Sequence, residues 1–361
     1  MAVENRYGFV DRLLHRLSFR TVQAQIDLAH LEERFFADQL ANVEVRRPVF
    51  IAALPRAGTT LLLELFAGLD EFATHCYRDM PFVLLPLVWN RFSSAFRLSN
   101  APQERAHGDG MLVNIDSPEA LEEIIWKAMW PDHYEGDRIK PWEKGRNPIF
   151  LEYFTNHVRK ILKLRQRNPE AVPRYASKNN ANIARIEWLA NAFPDAVFVV
   201  PFRDAAQHAG SLLHQHKNFL GIHAKQGFAR EYMDGIGHYD FGATLRPIDF
   251  NGWLATASHP DPMTIGFWME YWSVAYEYVL DKPNPNIYFL SYESLCAFPQ
   301  RGLDRLSELL SIEHRREFSS KGAEIRLRTP HSVDLSTVDA AVLSRANEVC
   351  ARLREKAIAV R

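Results

Sequence analysis

The chain has 361 residues, of which 47% are hydrophobic and 24% charged, as in an ordinary globular protein with a sizeable core. Its 43 basic residues nearly balance 44 acidic ones, so no global field favours nucleic acid or an anionic membrane surface. Three cysteines without metal or disulfide-framework spacing favour a reducing, cytoplasmic location. Residues 1–9 lack the apolar segment of a signal peptide, and the longest apolar run, residues 82–89, is too short to span a bilayer.

Residues 8–41 are predicted to be helical, because apolar residues recur there at i, i+3, i+4 and i+7. We expect an N-terminal helical extension, residues 1–45, that packs through its apolar face on a single domain formed by residues 46–361. An oligomer interface through the same helices is the alternative. The first turns of this apolar face contain Val10, Leu13, Leu14 and Leu17.

The stretch from Pro48 to Leu69 predicts a buried strand, a tight loop and a helix that starts at Thr59. Free N–H groups and the positive dipole end at a helix N-terminus attract a phosphate, and Gly58 allows the backbone to approach it closely. The stretch therefore predicts a phosphate-binding loop. Its candidate binding residues are Arg56, Ala57, Gly58, Thr59 and Thr60.

This loop differs from the Walker A loop of nucleoside triphosphatases. Thr59 stands where that motif has its lysine, and Ala53 stands where it has its first glycine. The cation, Arg56, comes before Gly58 instead of after it. A site for Mg²⁺ and ATP is therefore disfavoured, although a P-loop kinase remains the rival enzyme.

The next segments mix irregular chain and helices. Residues 70–116 contain several prolines and glycines and are predicted to be irregular, which suits one side of a substrate cleft. Ser117 and Pro118 predict a helix start, with serine as N-cap and proline at the first helical position. Residues 131–147 are a predicted loop, and Pro148 begins a further amphipathic helix of about five turns.

Two more strands follow, residues 174–177 and 196–202, each followed by a helix. Alternation of strands and helices implies a parallel sheet, whose functional groups lie at the carboxyl ends of the strands. This places Arg56, Lys178 and Arg203 on one edge. The predicted fold is a P-loop-type three-layer α/β fold with helical insertions.

The remaining chain predicts loops and a short helix over residues 219–262, which we expect to form the acceptor pocket together with residues 70–147. Residues 264–280 form an aromatic helix that is expected to be core, and residues 286–291 another strand. Two helices, residues 299–310 and 339–357, complete the chain. His214 and His216 do not share a helix face, so no metal site is expected.

The ordered motifs resemble those of sulfotransferases that use 3′-phosphoadenylyl sulfate (PAPS), most closely the bacterial branch related to tyrosylprotein and carbohydrate sulfotransferases. The resemblance begins at residues 54–61 and continues with residues 177–179 and 193–198. It then includes residues 203–204 with Ser211 eight positions after Arg203, and ends at residues 292–295. It departs from the family pattern at Ala57, usually serine, and at Ala205, usually proline.

The resemblance implies a role for each matched residue. Arg56 and the backbone of residues 58–60 would hold the 5′-phosphosulfate, and Arg203 with Ser211 would hold the 3′-phosphate. Lys178 would stabilise the transition state, and Tyr292 would lie near the adenine. The product is adenosine 3′,5′-bisphosphate (PAP). A second cluster of cations, Lys321, Arg326 and Arg328 with Gly322, matches the family poorly and is expected to be a solvated basic face.

The general base is the least determined residue, because a base is identified by geometry and not by spacing. Asp79 takes the position of the glutamate of the tyrosylprotein branch, and Glu123 is the next candidate. Asn180 stands where small cytosolic members carry a histidine, so that variant is absent. The other candidates are Glu122, His75 and His107.

The expected activity is therefore sulfuryl transfer from PAPS to a hydroxyl, less favourably an amine, of a glycan, lipid, polyketide or small metabolite. A non-catalytic PAP-binding protein of this fold is the rival outside the enzymes. Retention of Lys178 disfavours it.

Overall fold

The computed structural model describes residues 8–93, 103–104, 112–143, 147–167, 173–326 and 332–360. The strands are β1 (Val49–Ile51), β2 (Phe72–Ala73), β3 (Gln103–Glu104), β4 (Leu112–Val113), β5 (Arg174–Lys178), β6 (Val197–Phe202) and β7 (Ile287–Ser291).

Most of the described chain is helical. The α-helices are α1 (Phe9–Arg20), α2 (Val22–Phe35), α3 (Ala37–Leu40), α4 (Thr59–Ala67), α5 (Pro86–Ser93), α6 (Glu123–Met129), α7 (Pro148–Arg165), α8 (Ile186–Ala192), α9 (Ala205–Lys225), α10 (Gly227–Gly235), α11 (Ile265–Leu280), α12 (Tyr292–Ala297), α13 (Pro299–Leu310), α14 (Arg315–Ser320) and α15 (Ala340–Lys356). Short 3-10 turns include Tyr77–Asp79, Pro131–Tyr134 and Asn180–Ala184.

A five-stranded sheet in the order β2-β5-β1-β6-β7 organises the fold, and all its neighbouring strands are parallel. β3 and β4 form a separate antiparallel pair. Side chains alternate between the two faces of the sheet, as the pleat requires. Phe50 and Phe198 face one layer and stack with ring centroids 5.8 Å apart, whereas Val49 and Ile51 face the other. The predicted three-layer α/β fold is confirmed.

The helices cover the two faces unequally. Helices α4, α13 and α14 pack on the smaller apolar layer, and α6 to α11 with α15 form the larger one. Helix α11 is buried along its whole length, so the expectation that its aromatic residues are core is confirmed. None of the helices in the described part of the chain combines the length and the apolar content that a bilayer span requires.

The predicted packing face of the first helix is wrong. Val10, Leu13 and Leu17 are at least half exposed, and α1 contacts the domain through the opposite side. There Ser18 Oγ donates to Pro81 O at 2.5 Å, and Gln25 from α2 donates to Ser18 O at 2.7 Å. Buried hydrogen bonds of polar side chains thus accompany this orientation of α1. The spacing of apolar residues alone does not predict such contacts. An oligomer interface through these helices stays a prediction.

The helix predicted to start at Ser117 and Pro118 begins at Glu123 instead. Pro118 pairs as an isolated bridge with Cys76, and Glu119 N donates to His75 O at 3.0 Å. These contacts hold residues 118–119 against residues 75–76 of the same chain. The Ser-Pro pair therefore lies in an irregular segment and not at a helix N-terminus. Helix α9 is predicted to end at His216 but continues to Lys225. Helix α10 is the short helix that the sequence predicts within residues 219–262.

Candidate active site

Four strand ends meet at the carboxyl edge of the sheet. Arg56 lies in the loop after β1, Lys178 is the last residue of β5, and Arg203 and Tyr292 directly follow β6 and β7. The strand register aligns Ile51 with Lys178. Because the order is β5-β1-β6-β7, Lys178 lies on one side of the β1 loop and the other two residues lie on the opposite side. The predicted edge is therefore present, with the loop at its centre.

The β1 loop, residues 52–60, contains two residues in the left-handed region of backbone conformation. Arg56 has φ of 74° and Gly58 has φ of 90°. A Cβ at position 58 would lie 2.8 Å from the ring of Tyr292, so any residue other than glycine would force that ring to shift. Gly58 is also the N-cap of α4, whose first N–H groups have no partner within the helix. The loop thus has the geometry of an anion-binding backbone nest.

A cation cluster contacts this loop from the β6 side. Arg56 Nε donates to Ser211 Oγ at 3.4 Å, and Arg203 Nη1 donates to Arg56 O at 3.4 Å. The Arg203 guanidinium lies 5.0 Å from the ring centroid of Tyr292. Its Nε is buried without a hydrogen bond in the described chain, 3.8 Å from Glu293 Oε1. The contact between Arg203 and Glu293 is therefore too long for a hydrogen bond, and this buried Nε has no hydrogen-bond partner among the described residues.

A cavity opens on the β5 side of the loop. Its lining includes Arg56, Thr59, Thr60 and Lys178, but not Arg203, Ser211 or Tyr292. We call the opposite side of this cavity the 232–248 wall, since it is formed by the end of α10 and the residues after it. The wall residues that line the cavity are Tyr232, Met233, Ile236, Gly237, His238, Tyr239, Asp240, Leu245, Arg246, Pro247 and Ile248.

Glu123 lines the cavity, but both of its carboxylate oxygens are already occupied. Arg185 binds them with two contacts of 2.9 Å, Tyr134 Oη donates at 2.5 Å, and Asn179 Nδ2 donates at 2.7 Å. Arg185 is fully buried between Trp126 and Trp142, with ring centroids 4.2 and 4.0 Å away. Glu123 therefore anchors Asn179, the neighbour of Lys178, and each of its oxygens already accepts two hydrogen bonds.

Asp79 is the one predicted catalytic residue that the structure does not bring to the cavity. Its side chain is 2% exposed, and its carboxylate accepts from Arg165, from His75 Nδ1 at 3.1 Å and from Cys76 N at 3.1 Å. Burial alone would raise the pKa of Asp79, but the His75 hydrogen bond and the Arg165 charge outweigh it and lower that pKa. A buried, ion-paired carboxylate cannot reach an acceptor hydroxyl.

The remaining base candidates also lie outside the cavity or the described chain. Glu122 is buried and bonded to Tyr175 Oη, and burial raises its pKa. His75 is buried, with its Nε2 3.1 Å from His157 Nε2. His107 lies outside the described residues.

Two carboxylates that sequence reasoning missed line the cavity, Glu119 and Asp240. Asp240 Oδ2 accepts from Asn180 Nδ2 at 2.9 Å and lies 3.5 Å from His238 Nε2. Oδ1 of Asp240 accepts no hydrogen bond in the described part of the chain. Because Asn180 is two residues from Lys178, this contact fixes Asp240 beside the cationic end of the cavity. The sequence offered one signal for this position: His238 and Asp240 stand between two glycines, in a segment without clear helical or strand periodicity.

Gly237 allows the chain to turn from α10 into this wall. Its φ is 74°, and a Cβ there would lie 2.6 Å from Cγ of Glu123. A side chain at position 237 would push the wall away from the Glu123–Arg185 pair. The wall and the buried ion pair are therefore positioned against each other.

Lys321 and Arg326, the two predicted C-terminal cations that the structure describes, do not join the site. Lys321 Nζ approaches Gly68 at the end of α4, about 13 Å along that helix from the loop by its nine residues. Arg326 Nη1 donates to the carbonyls of Ala323 and Ile325, and Arg328 lies outside the described residues. Across the residues that the structure describes, no cluster of three His, Cys, Asp or Glu side chains is arranged to hold a metal ion. His216 instead accepts from Gly242 N.

Comparison with known proteins gives a consistent result. A model of the sulfotransferase family matches residues 48–240, which is more than half of the chain. A sulfotransferase from Mycobacterium avium is similar in structure, with a TM-score of 0.52, 14% sequence identity and coverage of 91% of this chain and 82% of that one. A sulfotransferase from Mycobacterium tuberculosis matches with a TM-score of 0.45 and 15% identity over 91% of this chain and 81% of that one. No curated protein sequence matches the chain.

Proposed function

The chain belongs to the sulfotransferase family, and we propose that it transfers a sulfuryl group from PAPS to a hydroxyl of a small-molecule, lipid or glycan acceptor. One observation carries the choice of donor. The β1 loop has an anion-binding geometry and is flanked by the Arg203–Ser211 cluster on one side and by the Lys178 cavity on the other. A donor with two separated anionic groups uses both sides, whereas ADP or ATP has no 3′-phosphate for the cluster.

The residues present fit PAPS. The left-handed loop and the N-terminus of α4 would hold the 5′-phosphosulfate. Arg203, whose side chain is partly exposed, and Ser211 would hold the 3′-phosphate, and charge-assisted contacts of this kind are the stronger hydrogen bonds. The ring of Tyr292, which is packed over Gly58 and against Arg203, would contact the adenine.

When bound, PAPS supplies the sulfuryl group, and PAP is the other product. Lys178 would stabilise the negative charge that develops on the oxygen between phosphorus and sulfur. Asp240 would accept the proton of the acceptor hydroxyl at Oδ1, since Asp240 lines the cavity and this oxygen accepts no hydrogen bond from the described residues. Asn180 would keep Asp240 in place through its hydrogen bond to Oδ2. We propose Asp240 in place of Asp79 for this role, with Glu119 as the other carboxylate that lines the cavity.

The acceptor would enter along the 232–248 wall. The wall combines the apolar side chains of Met233 and Ile236 with the polar groups of Asp240 and Arg246. Tyr271, which also lines the cavity, accepts from Ile248 N of the wall at 3.2 Å. Such a surface suits a largely apolar acceptor that carries a hydroxyl.

Isothermal titration calorimetry with PAP, ADP and Mg-ATP tests the proposal. We expect PAP to bind at least tenfold more tightly than ADP, and Mg²⁺ to be unnecessary. Tighter binding of Mg-ATP would favour the kinase. Tight PAP binding without transfer of ³⁵S from labelled PAPS to a panel of phenols, steroid alcohols and glycans would favour a non-catalytic PAP-binding protein.

A further inference from the structure

His208 connects the β1 loop to the core. It lies in the first turn of α9, between Arg203 and Ser211 in the sequence, and its side chain is completely buried. Its Nε2 lies 2.8 Å from Pro55 O, and its Nδ1 lies 3.0 Å from Trp272 Nε1. An indole N–H can only donate, so Nδ1 accepts and the proton of the neutral ring is on Nε2. That proton is donated to the carbonyl of Pro55.

The carbonyl of Pro55 belongs to the peptide unit that precedes Arg56. Arg56 has φ of 74°, which an L-residue other than glycine rarely adopts. The direction of the Pro55 carbonyl and the value of this φ are set together, because both depend on the orientation of the same peptide plane. A donor that fixes the carbonyl therefore also supports the unfavourable conformation of Arg56.

We propose that His208 is a positioning residue that holds the phosphate loop in its anion-binding conformation before a ligand arrives. The loop is then already ordered before binding. The entropic cost of ordering it is therefore not subtracted from the free energy of donor binding. Trp272 on α11 contributes by fixing the ring and its tautomer from the other side. The link to donor binding rests on the proposed function, whereas the effect on the loop itself does not.

The charge state of His208 agrees with this role. Burial, with the nearby charges of Arg203 and Arg56, lowers the pKa of His208 to about 3 despite its hydrogen bond to Pro55. The ring therefore stays a neutral single donor over the pH range of ordinary assays. Its contact with the loop does not depend on protonation there.

Hydrogen exchange of the free protein tests the effect on the loop. His208→Ala removes the donor, and we expect amides of residues 56–60 to exchange at least tenfold faster. His208→Gln can place an amide N–H near the position of Nε2, so it is expected to restore most of the protection. Trp272→Phe keeps His208 but removes its second partner, and it should give an intermediate rate. Unchanged exchange in His208→Ala, or equal acceleration in the Ala and Gln variants, would overturn the proposal.

PAP affinity by calorimetry tests the link to function. We expect His208→Ala to raise the Kd for PAP at least tenfold and His208→Gln to raise it less than threefold. His157→Gln is the matched control, since His157 is equally buried and its Nε2 contacts His75 and not the loop. It should lower the melting temperature but keep the Kd within twofold. Wild-type protein that does not bind PAP would refute the proposed function, and hydrogen exchange would still decide the role of His208.

Discussion

The two sides of the phosphate loop are constructed differently. On the β6 and β7 side, functional residues directly follow strands, and the helices after them are capped locally. Asp204 accepts from the N–H groups of Ala206 and Gln207 at 3.1 and 3.2 Å, and Ser291 accepts from Ser294 N at 3.2 Å. Backbone register thus determines where Arg203 and Tyr292 lie.

On the β5 side, contacts between side chains from distant segments determine the geometry. Asn180 holds Asp240, 60 residues away, and Arg185 holds Glu123, 62 residues away. In the proposed function, the β6 and β7 side, which backbone register defines, binds the donor. The β5 side, which side-chain contacts define, selects and activates the acceptor. Substitutions should then separate into those that change donor affinity and those that change turnover.

The largest expected effect is at Asp240. Asp240→Asn keeps the shape of the side chain but removes the base, so turnover should fall by about 10²- to 10⁴-fold. The Kd for PAP should stay within twofold, because Asp240 lies on the acceptor side. Release of PAP from PAPS in the presence of an acceptor measures the first quantity, and calorimetry measures the second.

Two controls identify the base. Asp79→Asn should lower stability but keep turnover in the folded enzyme, since Asp79 is buried against Arg165. Glu119→Gln should keep most of the activity. Full activity in Asp240→Asn with loss in Glu119→Gln would assign the base to Glu119, and loss only in Asp79→Asn would restore the original hypothesis.

Lys178 should affect turnover more than donor binding. Lys178→Met removes the cation at the end of β5 while keeping an unbranched side chain, and turnover should fall by about 10²- to 10³-fold, as for loss of one transition-state donor. The KM for PAPS should change less than tenfold. A large rise in KM with nearly normal kcat would instead make Lys178 a ground-state ligand and weaken the contrast between the two sides.

Arg203 should show the opposite behaviour. Arg203→Ala should weaken PAP binding by about 1.5 to 3 kcal/mol, the range for a hydrogen bond to a charged group. ADP has no 3′-phosphate, so its affinity should change little. Arg354→Ala is a matched control, because this exposed arginine lies 3.6 Å from Asp204 and outside the cluster. An equal loss for PAP and ADP would show that Arg203 does not bind the 3′-phosphate.

The last expected effect is a pH dependence of stability from His208. Its pKa is about 3 in the native protein and 6.5 ordinarily, so below pH 6.5 the unfolded chain binds a proton that the native protein does not. The free energy of unfolding should therefore decrease as the pH falls towards 3, by about 1.4 kcal/mol per pH unit from this group. Urea denaturation of His208→Gln at pH 7, 6 and 5 should show a shallower decrease.

The backbone-defined side of the site could be predicted from sequence. Strand ends and helix starts are local signals, and the carboxyl ends of parallel strands meet on one edge whatever the details of packing. The sequence therefore predicted that Arg56, Lys178 and Arg203 would share an edge. It also predicted helix α7 from Pro148, whose N-cap Asn147 accepts from Phe150 N at 3.0 Å.

The side-chain-defined side could not be predicted in this way. Asp79 matched a family position, but its carboxylate is neutralised by Arg165, 86 residues later. Asp240 lay in a segment without periodicity, and only its contact with Asn180 brings it to the cavity. Sequence patterns report local structure, whereas these positions depend on which distant partner is available for a buried charge.

Helix α9 extends from one side of the site to the other. It begins beside Arg203, carries Ser211 at the donor cluster, and further along presents His216 and His223, which accept from the N–H groups of Gly242 and Ala243. It thus sets the distance between the Arg203–Ser211 cluster, the proposed donor site, and the 232–248 wall, the proposed acceptor site. An insertion of one residue between Ser211 and His216 would rotate the far contacts by about 100° and detach the wall. Acceptor preference can therefore diverge through residues 232–248 while the spacing for in-line transfer remains unchanged.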